Sequence, residues 1–189
     1  RLLTLIDEQK LSNVSVLVGG GEAAELVRTW DQRFGLPAEA AHRLAIDAMS
    51  LNAAMLVSLA ERFVLVESLS EWQNWKAEPR NTLAVFHPTK ILQELELQHA
   101  ALPASWNVTS DSIAAWIADC CRIPSLLLLK SADVEAGVNG LDRPEILSRL
   151  AESGLVDPHF PTAAIDLPQI SWYNLRADNS ICDLVPKRP

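Results

Sequence analysis

WNVTSDSIAAWIADCCRIPSLLLLKSADVEAGV, residues 106–138, is the stretch whose reading decides the fold. It opens on polar residues, and Thr109 or Ser110 can cap a helix by accepting a hydrogen bond from a first-turn amide. Asp111 adds negative charge at the positive end of that helix. The helix starts near Asp111, and Ile113, Ala114, Ala115, Trp116, Ile117, Ala118 and Cys120 make its body apolar nearly all round, as for a helix buried between layers. Pro124 ends the run. Leu126 to Leu129 then form a continuous apolar segment, the pattern of a parallel strand covered on both faces. Lys130, Ser131 and Asp133 fall at the carboxyl end of that strand, read as a central one, where open α/β sheets bind ligands.

Upstream, Leu2 to about Lys10 reads as an amphipathic helix, Ser12-Asn13 as its break, and Val14 to Val18 as a strand running into Gly19-Gly20-Gly21. Three glycines between a strand and a helix allow a sharp turn and close backbone approach, leaving first-turn amides to hold an anion. The alternative is that they only permit tight strand-to-helix packing. The next helix carries Ala23, Leu26, Val27, Trp30 and Phe34 at helical spacing, with Gly35 as its stop. Pro37 starts a long helix whose expected buried stripe is Ala41, Leu44, Ala48, Leu51, Met55 and Leu59, and which could aim Asp47 or Asn52 at a substrate. Phe63 to Val66 and Leu83 to Phe86 have strand composition, with a short connection from Leu69 to Trp75 between them. His87-Pro88 ends the second strand, and Lys90 to Glu96 makes a brief helix or a flap.

Downstream, Gly137 and Gly140 mark a loop, and Asp142-Arg143-Pro144 starts a helix that Gly154 closes. Pro158, Pro161 and Pro168 punctuate a mostly irregular segment. Ile170 to Leu175 and Ile181 to Val185 read as late strands, with an edge hairpin around Ala177 to Asn179. Strands alternating with helices, most too apolar to alternate in and out, predict a mainly parallel α/β sheet with helices on both faces.

With 189 residues, 49% of them hydrophobic, the chain is long enough to bury a sizeable core as one domain or two joined lobes. A net charge of -8 gives no basic footprint for nucleic acid. No apolar run reaches the roughly 20 residues that span a bilayer, and no signal peptide opens the chain, so a cytoplasmic protein without a membrane partner is expected. Cys120, Cys121 and Cys182 are an odd number, two of them adjacent, as for reduced thiols. Arg1 stands in place of Met and leads straight into an apolar-periodic segment, so a further segment upstream is expected.

The histidines lack metal-ligand spacing and no Cys-x-x-Cys occurs, so no protein-held metal site is expected. P-loop, G-x-G-x-x-G and G-x-S-x-G patterns are absent as well. That last pair disfavours a Rossmann-like oxidoreductase and a serine hydrolase. What remains is a glycine turn, a Ser/Asp helix start and a Lys-Ser-x-Asp strand end, the parts phosphate chemistry uses.

A buried strand into Gly-Gly-Gly, then T-S-D-S-x-A-A, then L-L-L-L-K-S-x-D-V together resemble the amino acid kinase superfamily of aspartate, acetylglutamate, uridylate and isopentenyl phosphate kinases. The match runs from about Val14 to Val138. The blocks at His87-Pro88 and Leu102 to Trp106 look most like the branch related to the archaeal kinase of (aminomethyl)furanmethyl phosphate. The resemblance implies a three-layer αβα sandwich of carbamate kinase-like fold. It implies a single kinase-like domain over 1–189, with an acceptor lobe at 1–104 and a nucleotide lobe at 105–189.

It also implies an ATP- and Mg²⁺-dependent transfer of the γ-phosphoryl group to an anionic phosphate or carboxylate acceptor, by a protein that forms homo-oligomers. Gly20 and Asp111 would be catalytic. Gly19, Gly21, Asp47, Ser110 and Ser112 would lie at the acceptor, and Lys130, Ser131 and Asp133 would line the nucleotide pocket. The resemblance also puts a Lys-x-Gly-Gly-Ser segment upstream of Arg1. Val134-Glu135-Ala136 departs from the family's Val-Asp-Gly. A regulatory module of the same fold without catalysis is the second reading. On the residues alone, Asp111 could be a plain cap and Lys130 a strand-end lysine reaching solvent.

Overall fold

The computed structural model describes residues 1–77, 81–134, 141–177 and 181–185. Glu135 and Ala136, the loop glycines Gly137 and Gly140, and hairpin positions Asp178 and Asn179 lie outside them. The chain divides into two compact units, Leu3–Trp106 and Asn107–Pro189, the second including Arg1–Leu2.

The first unit runs α1 (Leu2–Glu8), β1 (Ser15–Val16), α2 (Gly21–Phe34), α3 (Ala38–Leu59), β2 (Phe63–Val66), α4 (Leu69–Lys76), β3 (Leu83–Phe86) and α5 (Pro88–Glu96). Its three strands form a parallel sheet in the order β1-β3-β2, in register at Val16↔Val85 and Phe63↔Leu83. All four residues of β3 are buried, as its unbroken apolar run requires of a central strand. Trp72 on α4 packs edge-on against Phe86, and its indole N–H donates to Ser15 Oγ at 2.9 Å, tying the helix to both β3 and β1. Gly35 ends α2 in the left-handed conformation, φ 60°, which costs a residue without a Cβ little.

The stripe expected on α3 holds at Ala41 and Ala48, which are buried, and is corrected at its larger residues. Leu44, Leu51, Met55 and Leu59 are exposed, whereas Ile46, Met49, Ser50 and Ala53 are buried. These four follow the same helical spacing on another side. Their smaller average size lets the backbone come close to its neighbours, so the largest side chains do not mark the packed face. On α2, likewise, Val27 is buried while Leu26, Trp30 and Phe34 are exposed.

The second unit holds α6 (Ser110–Cys120), β4 (Ser125–Lys130), α7 (Arg143–Glu152), α8 (Phe160–Ala164), β5 (Gln169–Asn174) and β6 (Cys182–Val185). β4 pairs with β5 in parallel over six residues, and β5 pairs with β6 antiparallel across an irregularity at Ile170/Ser171. Its core includes Leu128, Leu147, Leu150, Phe160, Ile170 and Trp172. Two expectations change here. Within this sheet β5, not β4, is the middle strand, and of the four leucines only Leu128 is fully buried. The proline-rich segment contains α8, because Pro161 sits in the first turn, where a missing N–H costs nothing.

The described residues therefore form an α/β protein whose strands are divided between two three-stranded sheets, one wholly parallel and one mixed. Among them, no helix is long and apolar enough to cross a membrane.

Candidate functional site

In the first unit, β1 feeds the glycine turn and the turn becomes α2. Gly20 is the N-cap at φ -72°, and Gly21, the first helical residue, has φ 49°. A Cβ on Gly20 would lie 2.4 Å from the Ala24 Cβ, which real structures do not tolerate. Gly20 thus serves close packing and Gly21 a left-handed backbone. Helix geometry still leaves first-turn amides without intrahelical partners, so the packing and anion-binding readings are compatible.

Asn52 on α3 reaches this turn. Its Nδ2 donates to the carbonyls of Gly19 and Gly20, both at 2.8 Å. Fixing those two carbonyls fixes the peptide planes of the turn, and so the direction of its amides. Asp47, one turn earlier, is held elsewhere. Its Oδ1 accepts from Thr89 Oγ1 at 2.7 Å, and Thr89 Oγ1 also lies 2.8 Å from Ser50 Oγ, which accepts from the Thr89 amide at 3.1 Å. That cluster fastens the start of α5 to α3. Of the two α3 residues considered from the sequence, Asn52 is the one that contacts the glycines.

In the second unit, the start of α6 and the end of β4 bring Asp111 and Lys130 together. Lys130 Nζ donates to Asp111 Oδ2 at 2.7 Å, with both side chains largely withdrawn from solvent. Burial pushes the Asp111 carboxyl above its ordinary range, most strongly of its influences, and the nearby Asp157 charge adds to this. The Lys130 ammonium and a main-chain hydrogen bond from Asp157 pull the other way. The lysine also lies 5.9 Å from the Trp172 ring centre. The contact fixes the Lys130 ammonium at the strand end, where a cation can offset phosphate charge.

Beyond Lys130, Ser131 and Asp133 are exposed. β5 anchors this segment: Asn174 Nδ2 donates to Asp133 Oδ1 at 3.0 Å, Leu175 N donates to Lys130 O at 2.7 Å, and Trp172 Nε1 donates to Ala132 O at 2.9 Å. Ser110 is half-buried at the first position of α6. Ser112 has no exposed surface, and its hydroxyl donates to Asp157.

Of the two expected caps, Ser110 is the first helical residue and Thr109 is the N-cap but makes no capping bond of its own; the Thr109 hydroxyl donates to Asp157 Oδ2 at 2.9 Å instead. Asp157 and Asn174 belong to no motif in the sequence. A lone aspartate in Leu155-Val156-Asp157-Pro158 was the available signal for the first, since an acidic group inside an apolar run needs a buried partner.

No family model matches the chain. Among curated proteins, the [5-(aminomethyl)furan-3-yl]methyl phosphate kinase of Methanocaldococcus jannaschii is 24% identical over 121 residues, which cover 64% of this chain. The chain is similar to a kinase. The similarity takes in 52% of that enzyme, so the chain spans about half the length of the relative it matches. Among the described residues, no group of three or more His, Cys, Asp and Glu side chains could hold a metal ion.

Proposed function

We propose that this chain is the catalytic part of an ATP-dependent small-molecule kinase of the amino acid kinase type, built as the three-layer αβα sandwich of that family. The observation that carries the reading is the Asp111–Lys130 pair, seated on the segment that also supplies the family resemblance. The similarity to a phosphate kinase supports the same class of reaction. In this reading the unit Leu3–Trp106 binds the acceptor and the unit Asn107–Pro189 binds the nucleotide.

The chemistry follows from charge. Phosphoryl transfer needs little covalent help from the protein and much positioning and charge compensation. Lys130 would offset charge on the nucleotide phosphates, with Asp111 holding its ammonium in place, while Ser131 and Asp133 bind the nucleotide. Amides at Gly19, Gly20 and Gly21, oriented by Asn52, would bind the transferring group. Asp47 would shape the acceptor side. Mg²⁺ would come with ATP, whose phosphates supply most of its ligands and whose charge it offsets. The acceptor is a small anion such as a phosphate monoester or a carboxylate.

Glu135-Ala136, where the family has Asp-Gly, favours a second reading: a nucleotide-binding regulatory module without transfer. ADP release measured with MgATP and a panel of phosphate monoesters and carboxylates separates the two. Acceptor-dependent ADP formation, lost by about 100-fold or more in Asp111→Asn with the fold retained, is expected. Calorimetric binding of ATP with no turnover on any acceptor would favour the module, and no nucleotide binding would remove both.

A further inference from the structure

Asp157 lies between α7 and α8, 45 residues beyond Ser112, yet it binds the start of α6 from both sides of Asp111. Its Oδ2 accepts from the Thr109 amide at 3.0 Å, the Thr109 hydroxyl at 2.9 Å and the Ser112 amide at 3.0 Å. Its Oδ1 accepts from the Ser112 hydroxyl, from His159 N at 3.1 Å and from Phe160 N at 3.0 Å. Six donors converge on one carboxylate that is 7% exposed. Two oxygens offer about four lone-pair sites, so this carboxylate is saturated, and every partner is a donor.

The sequence places the reactive residue inside this clamp. Thr109 is the N-cap and Ser110, Asp111 and Ser112 are the first three helical residues. Holding 109 and 112 fixes the rotation and height of the turn that carries Asp111, whose side chain reaches Lys130 on β4. A cap drawn from the local sequence would satisfy the same amides but would not tie them to the segment leading into α8. We infer that Asp157 is a positioning residue: it holds the first turn of α6 so that the Asp111 carboxylate meets the Lys130 ammonium. This rests on the phosphotransfer reading above, and it extends that reading to a residue that touches neither nucleotide nor acceptor.

Asp157→Asn is the direct test, because an amide replaces one acceptor oxygen with a donor and leaves up to three donors facing it. Two readings are taken on the purified protein. One is kcat and KM for ATP. The other is the ¹H–¹⁵N signal of the Lys130 side-chain ammonium, which sharpens when its protons are held by a carboxylate and broadens when they exchange with water.

Asp142→Ala is the control. Asp142 caps α7 through a reciprocal bond with Glu145, so its loss lowers stability without touching α6. Asp157→Asn should broaden the Lys130 signal and lower kcat by about 100-fold with KM for ATP nearly unchanged, as expected for a displacement of about 1 Å. Asp142→Ala should leave the signal and kcat as in the parent.

If Asp157→Asn keeps the Lys130 signal and kcat and only melts earlier, like the control, Asp157 is a structural cap and the inference is overturned. Should Asp157→Asn not fold, Thr109→Val removes one of the six bonds; a smaller change in the same two readings supports the inference and no change in either overturns it. A parent protein without phosphoryl transfer would sink the kinase reading alone, since the Lys130 signal still reports whether Asp157 positions the pair.

Discussion

Asp111 carries two opposed influences, and their balance makes its behaviour with pH a sharp test. Burial raises its pKa, so the carboxylate is lost on acidification at a pH above the ordinary aspartate value of 3.8. If transfer needs the carboxylate, the acid limb of kcat against pH lies above that value. Lys130 lowers the pKa, so Lys130→Met should move the limb further up, besides lowering kcat; a limb that stays put would mean another group titrates. The stability sign is the reverse of a salt-bridged surface aspartate. Folded Asp111 holds its proton more tightly than the unfolded chain does, so its contribution to stability falls as pH rises from the ordinary to the raised value. Asp111→Asn should remove that slope in a denaturation series. Asp111 at a helix start and Lys130 at a strand end are legible in the sequence, but their contact, between residues 19 apart, is not. Asp157 was not, since its partners lie far along the chain and no local pattern announces them. Asn174 was hidden in the same way.

At the scale of elements, the short apolar runs at Phe63–Val66 and Leu83–Phe86 were read with their observed bounds, since polar or turn-forming residues flank each one closely. Helix faces were harder. On α3 the buried residues are the expected Ala41 and Ala48 together with Ile46, Met49, Ser50 and Ala53, while the large Leu44, Leu51, Met55 and Leu59 point elsewhere. Prolines misled for a related reason: Pro161 reads as a breaker but is also a favoured first-turn residue. The glycine turn shows how one motif can serve two ends. Gly20 has an ordinary φ of -72°, so its need for glycine comes from the 2.4 Å that would separate its Cβ from Ala24. Gly20→Ala should therefore lower stability by about 1–3 kcal/mol through overpacking at the start of α2. Adding Ala24→Gly should recover part of it in urea denaturation. Equal stability of the parent and Gly20→Ala would show that the turn adjusts at little cost and that its glycine answers to a ligand alone.

For the whole molecule, the sequence foretold strands alternating with helices, and the described residues place them in two units with a sheet each. Which strands share a sheet was not legible, because hydrogen-bonded neighbours leave no mark in composition. Another feature at this scale comes from the packing of α2 and α3. Leu26, Trp30 and Phe34 recur every fourth residue along α2, and Leu51, Met55 and Leu59 do so along α3. All six are exposed, Phe34, Leu51 and Leu59 by 64%, 64% and 68%. Single exposed apolar residues are ordinary, but two such stripes, one on each of two helices that pack together, are apolar surface that water covers at a cost. Homo-oligomer formation, implied by the family resemblance, would cover it, and a stable interface needs roughly 800 Å² from each partner. Sedimentation equilibrium of the purified protein should then give a multiple of 20.8 kDa for this chain. Leu51→Glu combined with Met55→Glu should give the single-chain mass, because burying two unpaired carboxylates outweighs the apolar area gained. The association should persist in high salt, since apolar contact is not screened as charge pairs are. A parent protein that sediments as one chain at micromolar concentration, with these stripes still open to solvent, would remove self-association as the reason for their exposure.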